Sequence, residues 1–186
     1  PYFAQPIRLL AEETYVRAFP GGTGDAKSAG NYGSGLLAAQ LAQAKGYHNV
    51  MWLDGKEHRY VEESGVMNIM FVINGVALTP PLTGTILPGV TRDSVLTLLK
   101  EMGVPHEERA IPVSEVVEAH RAGTLQEAFG IGTAAIIAPI ACIGYRGQDM
   151  NIPTGATGGI AAKLRSRLVA IQTGRESDTH NWLLYV

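Results

Sequence analysis

EESGVMNIMFVINGVALT, residues 62–79, is the stretch on which the fold turns. Met67 to Ile73 is a nearly continuous apolar run too short for a stable helix. Unbroken apolarity marks a strand buried on both faces. Asn74-Gly75 is the dipeptide that closes a two-residue hairpin, so Val76 to Thr79 reads as the returning strand. The acid pair Glu62-Glu63 enters this buried hairpin almost at once, so one of the two carboxyls points inward. An inward carboxylate needs a partner or a raised pKa, which makes the pair a functional candidate beside the reading as a solvated face.

Working outward, Val50 to Leu53 reads as a short strand and Asp54-Gly55 as another hairpin turn. Residues 34–45 read as a helix, with Ser34 as its N-cap and Gly46 as its stop. Glu13 to Phe19 reads as a strand ended by Pro20 and a glycine run. Thr91 to Met102 reads as a helix capped by Thr91, with Val95, Leu98, Leu99 and Met102 on one face. Glu108 to Ile111 reads as a strand, and Ser114 to His120 and Leu125 to Phe129 as short helices. Thr133 to Ile140 is a buried strand, demoted by Pro139 near its end. Gly159 to Gly174 is a closing helix with Ile160, Leu164, Leu168 and Ile171 in one stripe. Strands and helices mixed in this way predict an α/β or α+β domain with a mixed sheet and surrounding helices.

Composition narrows the function. The 186 residues carry 15 Lys and Arg against 17 Asp and Glu, a net charge of -2 that offers no field to a phosphate backbone, so no nucleic acid partner is expected. A single cysteine, Cys142, leaves no internal disulfide and no cysteine-only metal cage, and no metal is expected. His48, His58, His106, His120 and His180 form no zinc-protease pair and read as surface or hydrogen-bonded structural residues. No run approaches the ~20 apolar residues of a membrane span, and no basic, apolar signal opens the chain, so no membrane partner and a cytoplasmic location are expected. The chain begins Pro-Tyr-Phe without an initiator methionine, which reads as processing, truncation or a fragment. Its 22 glycines cluster at Gly21 to Gly24, Gly33 to Gly35, Gly130 to Gly132 and Gly155 to Gly159, where loops turn sharply or approach a ligand.

The most reactive-looking of these clusters is residues 21–28, GGTGDAKS. Gly21, Lys27 and Ser28 stand in register with a Walker A loop, but Ala26 replaces its second glycine and its methyl obstructs the phosphate cradle. A phosphate-binding NTPase is therefore one rival reading, and a glycine-rich hairpin with an exposed lysine is the plain structural one. A third makes Lys27 an amine nucleophile that forms a Schiff base. Pyridoxal phosphate chemistry would need that lysine, an acid for the pyridine nitrogen, amides for the phosphate and a contact to the ring oxygen, and the sequence can supply all four.

Five segments favour the third reading, with the NTPase kept as an alternative. YVRAFPGGTGDAKSAGNYGSG (Tyr15 to Gly35), EESGVMNIMFV (Glu62 to Val72), LTPPLTGTILPGVTRDSVL (Leu78 to Leu96), FGIGTAAIIAPI (Phe129 to Ile140) and GRESDTHNW (Gly174 to Trp182) resemble, in order and over nearly the whole chain, the branched-chain amino acid aminotransferases, fold-type IV pyridoxal phosphate enzymes. The resemblance implies the large domain of the D-amino acid aminotransferase-like fold and pyridoxal 5'-phosphate as cofactor. Lys27 would be the Schiff-base lysine and proton shuttle. Glu63 would pair with the pyridine nitrogen and Tyr32 with the ring 3-oxygen. The amides of Val90 and Thr91 would hold the phosphate. Gly132, Thr133 and Ala134 would meet the substrate carboxylate, with Val66 beside its aliphatic side chain. The reaction implied is reversible amino transfer from leucine, isoleucine or valine to 2-oxoglutarate. D-amino acid aminotransferase and aminodeoxychorismate lyase activities on the same fold, and a non-catalytic fragment, are the rivals.

The departures carry expectations of their own. Ile131 stands where the family usually has Ser or Thr, a loss of about 1–2 kcal/mol of cofactor affinity. Val66 replaces a common Thr or Gly, and Ala135 and Ala138 stand where some relatives carry a redox cysteine pair. Arg17 reads as a structural ion-pair residue. Family members are roughly twice this length, with a smaller N-terminal domain before the lysine domain. Residues 1–186 are thus expected to be the large C-terminal domain alone, with a half-open site, weak or no activity, an exposed apolar interface patch and a homo-oligomeric parent.

Overall fold

The computed structural model describes residues 5–154 and 158–184, so residues 155–157 of the last glycine cluster lie outside it. In chain order the elements are β1 Ile7–Glu12, α1 Ala29–Gly33, α2 Leu36–Ala44, β2 Asn49–Leu53, β3 Val61–Ser64, β4 Met67–Ile73, β5 Val76–Thr79, α3 Val90–Glu101, β6 His106–Glu108, α4 Val113–Arg121, β7 Leu125–Gly132, β8 Ile136–Tyr145, β9 Gln148–Asn151 and α5 Ile160–Gln172.

The strands form one mixed sheet in the order β3-β2-β1-β8-β7-β4-β5-β6, with β9 on β8. A further pairing joins β3 to β4, so β1, β2, β3, β4, β7 and β8 close into a ring. Every residue of β4 is buried, as its unbroken apolarity predicts. Alternation explains why: Ile69 and Phe71 join Leu9, Met51 and Leu53 inside the ring, while Met70 and Val72 face α3 and α5 through Leu98, Leu99, Leu164 and Leu168. Helix α4 adds Val113, Val116 and Ala119 to the inner cluster, and α2 covers Val50 and Trp52 with Ala38 and Ala42. None of the helices among the described residues is long and apolar enough to cross a membrane.

The β4–β5 hairpin stands as read, with Asn74 and Gly75 at φ 51° and 78°, the left-handed pair that a two-residue turn requires. Other boundaries move. The first strand is Ile7–Glu12 rather than Glu13 to Phe19, because the Glu12 carboxylate accepts the amides of Thr14 (2.8 Å) and Tyr15 (3.0 Å) and turns the chain out of the sheet. Leu125 to Phe129 is not helical but the start of β7, which is sandwiched between β4 and β8. Strand β6 ends at Glu108 instead of beginning there, held parallel to β5. Strand β8 starts only at Ile136 and runs past Pro139, which sits well inside it opposite Phe129; β1 joins β8 only from Ile140 onward. Asp54-Gly55 does not close a tight hairpin. Asp54 instead nucleates a longer loop, its carboxylate accepting the amides of Lys56 (3.2 Å), Glu57, Arg59 and Tyr60 (each 2.7 Å). Helices α2 and α3 take Gly35 and Gly89 as N-caps rather than Ser34 and Thr91.

Candidate active site

Strand β3 sets the site. Opposite it, Trp52 pairs with Glu63 but Leu53 pairs with Val61, so Glu62 is the extra residue of a bulge. The bulge brings both adjacent carboxyls into the protein: Glu62 is 6% exposed and Glu63 2%. The sequence predicts one inward carboxyl; the fold buries two. Glu63 pairs across to Asn68 on β4, and Asn68 to Ile131 on β7. This row forms the base of a cavity of about 450 Å³ outside the ring.

Its walls come from separate loops. Lys27, Glu63, Val66, Val90, Thr91, Gly132, Thr133 and Ala134 all line it. Tyr32 stands beside it, its ring 5.0 Å from the Lys27 Nζ and in an adjoining cleft with Arg17, Trp52 and Val66. The N-terminus of α3 opens into the cavity with no side-chain cap, leaving the first-turn amides at Val90 and Thr91 as an anion cradle. Gly89 lets Asn68 pack against the turn: a Cβ would fall 2.2 Å from the Asn68 Oδ1 and displace that side chain. Asn68 in turn donates its amide to the Leu87 carbonyl at 2.9 Å, and buried Arg92 ties α3 to the Pro80 carbonyl (2.9 Å) and Glu108 (2.7 Å). The turn Gly132 to Ala134 joins β7 to β8 at the opposite rim. Ile131 is buried among apolar side chains and brings no hydroxyl.

Two residues that the sequence underrates organise this arrangement. Arg17, 6% exposed, donates Nε to the Glu63 Oε2 at 2.9 Å and Nη1 to the carbonyls of Gly24 (3.0 Å) and Thr85 (2.5 Å). It thereby clamps the lysine loop, the 85–87 segment and Glu63 together. Gly24 permits the approach, since a Cβ would lie 2.6 Å from the Thr85 Cα. Asn31 fills the inside of the lysine loop, donating Nδ2 to the carbonyls of Thr23 (2.7 Å) and Ala26 (2.9 Å). The loop is folded around an amide side chain through its carbonyls, whereas a Walker loop presents amides to an anion. Asn31 is signalled by its turn-forming -Asn-Tyr-Gly- context; Arg17, read from the sequence as a structural ion-pair residue, is one, and what the sequence leaves open is its partner, Glu63.

Burial pushes the Glu63 carboxyl up to about 7, against the Arg17 guanidinium, the Leu87 amide at 2.8 Å and the Lys27 charge, which favour the anion. Burial likewise pushes Glu62 up to about 7, opposed by the hydroxyl of Thr85 at 2.5 Å. No cluster of three or more His, Cys, Asp or Glu among the described residues could hold a metal.

The cavity thus gathers an amine, a buried acid and an anion cradle, and the comparisons with known proteins agree on whose it is. The profile of the family described as "Amino-transferase class IV" matches residues 6–143. The chain belongs to the class IV amino-transferase family. It is 48% identical over 178 residues to a branched-chain-amino-acid aminotransferase 2 of Bacillus subtilis (strain 168), covering 96% of this chain and 49% of that protein. It superposes on the branched-chain aminotransferase of Thermoproteus uzoniensis solved with norvaline at a TM-score of 0.83 and 30% identity, over 98% of this chain and 57% of that one. With a T.th. branched-chain amino acid aminotransferase solved with pyridoxamine 5'-phosphate the TM-score is 0.80 at 29% identity, over 97% of this chain and 56% of that one. This class IV chain therefore spans about half the length of the curated relatives it matches, and its mixed sheet with flanking helices is the fold of those structures.

Proposed function

We propose that the chain is the cofactor-carrying large domain of a cytoplasmic, homo-oligomeric branched-chain aminotransferase whose small domain precedes it. The reaction is reversible amino transfer between leucine, isoleucine or valine and 2-oxoglutarate, with pyridoxal 5'-phosphate. One observation carries this reading: Lys27, Glu63 and the uncapped start of α3 face the same cavity. The residues present suit the cofactor. A cavity of about 450 Å³ lies in the range of small-ligand sites. The uncapped amides suit a phosphate.

Bound pyridoxal phosphate supplies an electron-accepting ring. This chain's own groups do the rest. Glu63, buried and ionised by Arg17, holds a cationic N–H donor at the cavity floor, and Lys27 Nζ takes the proton from the substrate Cα. Tyr32, its ring beside Lys27, would offer its hydroxyl to the cofactor's ring oxygen. The amides of Val90 and Thr91 would hold the phosphate. Those of Gly132, Thr133 and Ala134 receive the carboxylate, and Val66 with Ile131 and Met67 receives the aliphatic side chain. A pocket of this kind separates substrates by only about 1–3 kcal/mol per methylene, so use of the three amino acids overlaps.

The test is an absorbance spectrum after adding pyridoxal phosphate, then borohydride reduction and peptide mapping. A band near ~410 nm with the reduced adduct confined to Lys27 supports the reading. Labelling scattered over surface lysines overturns it. A substrate panel that includes D-amino acids and aminodeoxychorismate then separates the two rivals on this fold.

A further inference from the structure

We propose that Glu62 is a positioning residue that carries the one proton of the Glu62–Glu63 pair, so that Glu63 alone is the buried anion of the site. The argument begins with a charge count. Two adjacent carboxyls and one guanidinium are buried together, one negative charge too many. Their hydrogen bonds are unequal. Both oxygens of Glu63 receive N–H donors, from Arg17 and the Leu87 amide, the pattern of an ionised carboxylate. Glu62 receives one hydroxyl, from Thr85 on Oε1, and its buried Oε2 has no partner among the described residues. An unpartnered buried carboxylate oxygen is costly, and the neutral carboxyl with the same neighbours costs less.

The surroundings favour the same assignment. Glu62 borders a cleft lined by Pro20, Val61, Pro80, Pro81 and Ile86. The titratable groups facing it are Asp54, Lys56, Glu57 and Tyr60 from the β2–β3 loop, Arg17 from the lysine arm, and Glu63 on its own strand, while the 80–87 segment brings only the hydroxyls of Thr83 and Thr85. The Asp54 charge opposes ionisation of Glu62; the Thr85 hydroxyl favours it, and Arg17, the one cation that does so, is already bonded to Glu63. The Thr85 hydroxyl also lies 3.2 Å from that of exposed Thr83, so the buried proton has a hydroxyl path to solvent.

The positioning follows from the same contacts. Glu62 holds Thr85, whose carbonyl accepts from Arg17; two residues on, the Leu87 amide donates to Glu63. A second anion at Glu62 competes for Arg17 and loosens this clamp.

Melting curves of the cofactor-free chain from pH 5 to pH 8 test the shared proton with two variants, E62Q and E63Q. A proton retained above its unfolded pKa stabilises the fold at low pH, and that contribution is lost as pH rises through neutrality. The wild type is expected to lose about 5 °C more across this range than either variant does, because each removes the excess acid and leaves one carboxylate for Arg17. A slope that both variants leave unchanged overturns the shared proton. Which carboxyl holds it is read in a carbon-13 carboxyl titration of the wild-type chain: Glu62 must be the later of the two to ionise, and Glu63 ionising last overturns the proposal. The positioning effect rests on the function proposed above and is read separately, in pyridoxal phosphate affinity at pH 6. Glu62→Leu, which cannot hold Thr85, is expected to weaken it at least about tenfold and E62Q less than about threefold; equal losses overturn the positioning role. No Lys27 adduct in the wild type would sink the proposed function, while the carboxyl titration still decides where the proton sits.

Discussion

Replacing Arg17 by Leu should be among the most damaging single changes in this chain. The guanidinium is buried against an equally buried carboxylate and satisfies two backbone carbonyls besides. Leucine refills part of the volume but leaves Glu63 without its cation and two carbonyls without a donor. Removing one partner of a buried ion pair costs about 3–5 kcal/mol. For a domain of this size that is a fall in melting temperature of about 6–20 °C. The measurement belongs at pH 8, because without the guanidinium burial pushes Glu63 higher still, and its protonation would soften the loss at lower pH. Two further variants sharpen it. Arg17→Lys keeps the charge but not the fork that reaches three acceptors, and should recover only part of the loss. Adding Glu63→Gln to Arg17→Leu removes the stranded charge and should restore about 1–3 kcal/mol relative to Arg17→Leu alone. Should Arg17→Leu melt within about 2 °C of the wild type, with no recovery in the double variant, the Arg17 clamp does not exist.

Three other outcomes follow from the geometry. Gly89→Ala places a methyl against Asn68 at the anion cradle and should lower pyridoxal phosphate affinity by about tenfold, with Asn68→Ser in the same chain recovering it; a spectrophotometric titration reads both. Burial alone would raise Asp54, but the four amides bonded to its carboxylate outweigh that and hold it below the usual range. Its contribution is therefore present at neutral pH and is lost as pH falls below the ordinary aspartate value; Asp54→Ala should cost about 2 kcal/mol in urea unfolding at pH 7 and much less near pH 3. Glu127 accepts the amides of Ile160 (2.7 Å) and Ala161 (2.9 Å) and so caps α5 from a distant strand; Glu127→Ala should cost about 1 kcal/mol in the same assay.

The parts of the fold legible in the sequence are those whose signal is local. Strands β4 and β5 fall where an unbroken apolar run and an Asn-Gly turn put them, since burial on both faces and a left-handed turn each need particular residue types. Strand β7 reads wrongly as a helix because its residues have no strong strand preference, and its pairing with β4 and β8 overrides local propensity. The first strand reads too late because Glu12 ends it by a side-chain contact that no pattern of hydrophobicity encodes. The site divides the same way. Lys27, Glu63 and the α3 start are marked by long matching motifs, and the fold brings them to one cavity. Arg17, Asn31 and Thr85 lie inside the same matching segments, but their contacts exist only after the chain has folded back on itself. The bulge at Glu62 is likewise a matter of register between β2 and β3, and an acid pair reads the same with or without it.

The closed ring of strands has a consequence for how this chain behaves in a concentrated solution. Open sheets aggregate by adding strands at their unpaired margins. Here each ring strand has neighbours on both sides, and the margins left among the described residues are the short β6, with its acidic His106–Glu108, and the short β9. Growth of amyloid-like ladders from the native state is therefore confined to two short edges, while Leu36, Leu37 and Leu41 of α2 lie exposed. Self-association of the folded chain is accordingly favoured through such side-chain surfaces rather than through strand addition.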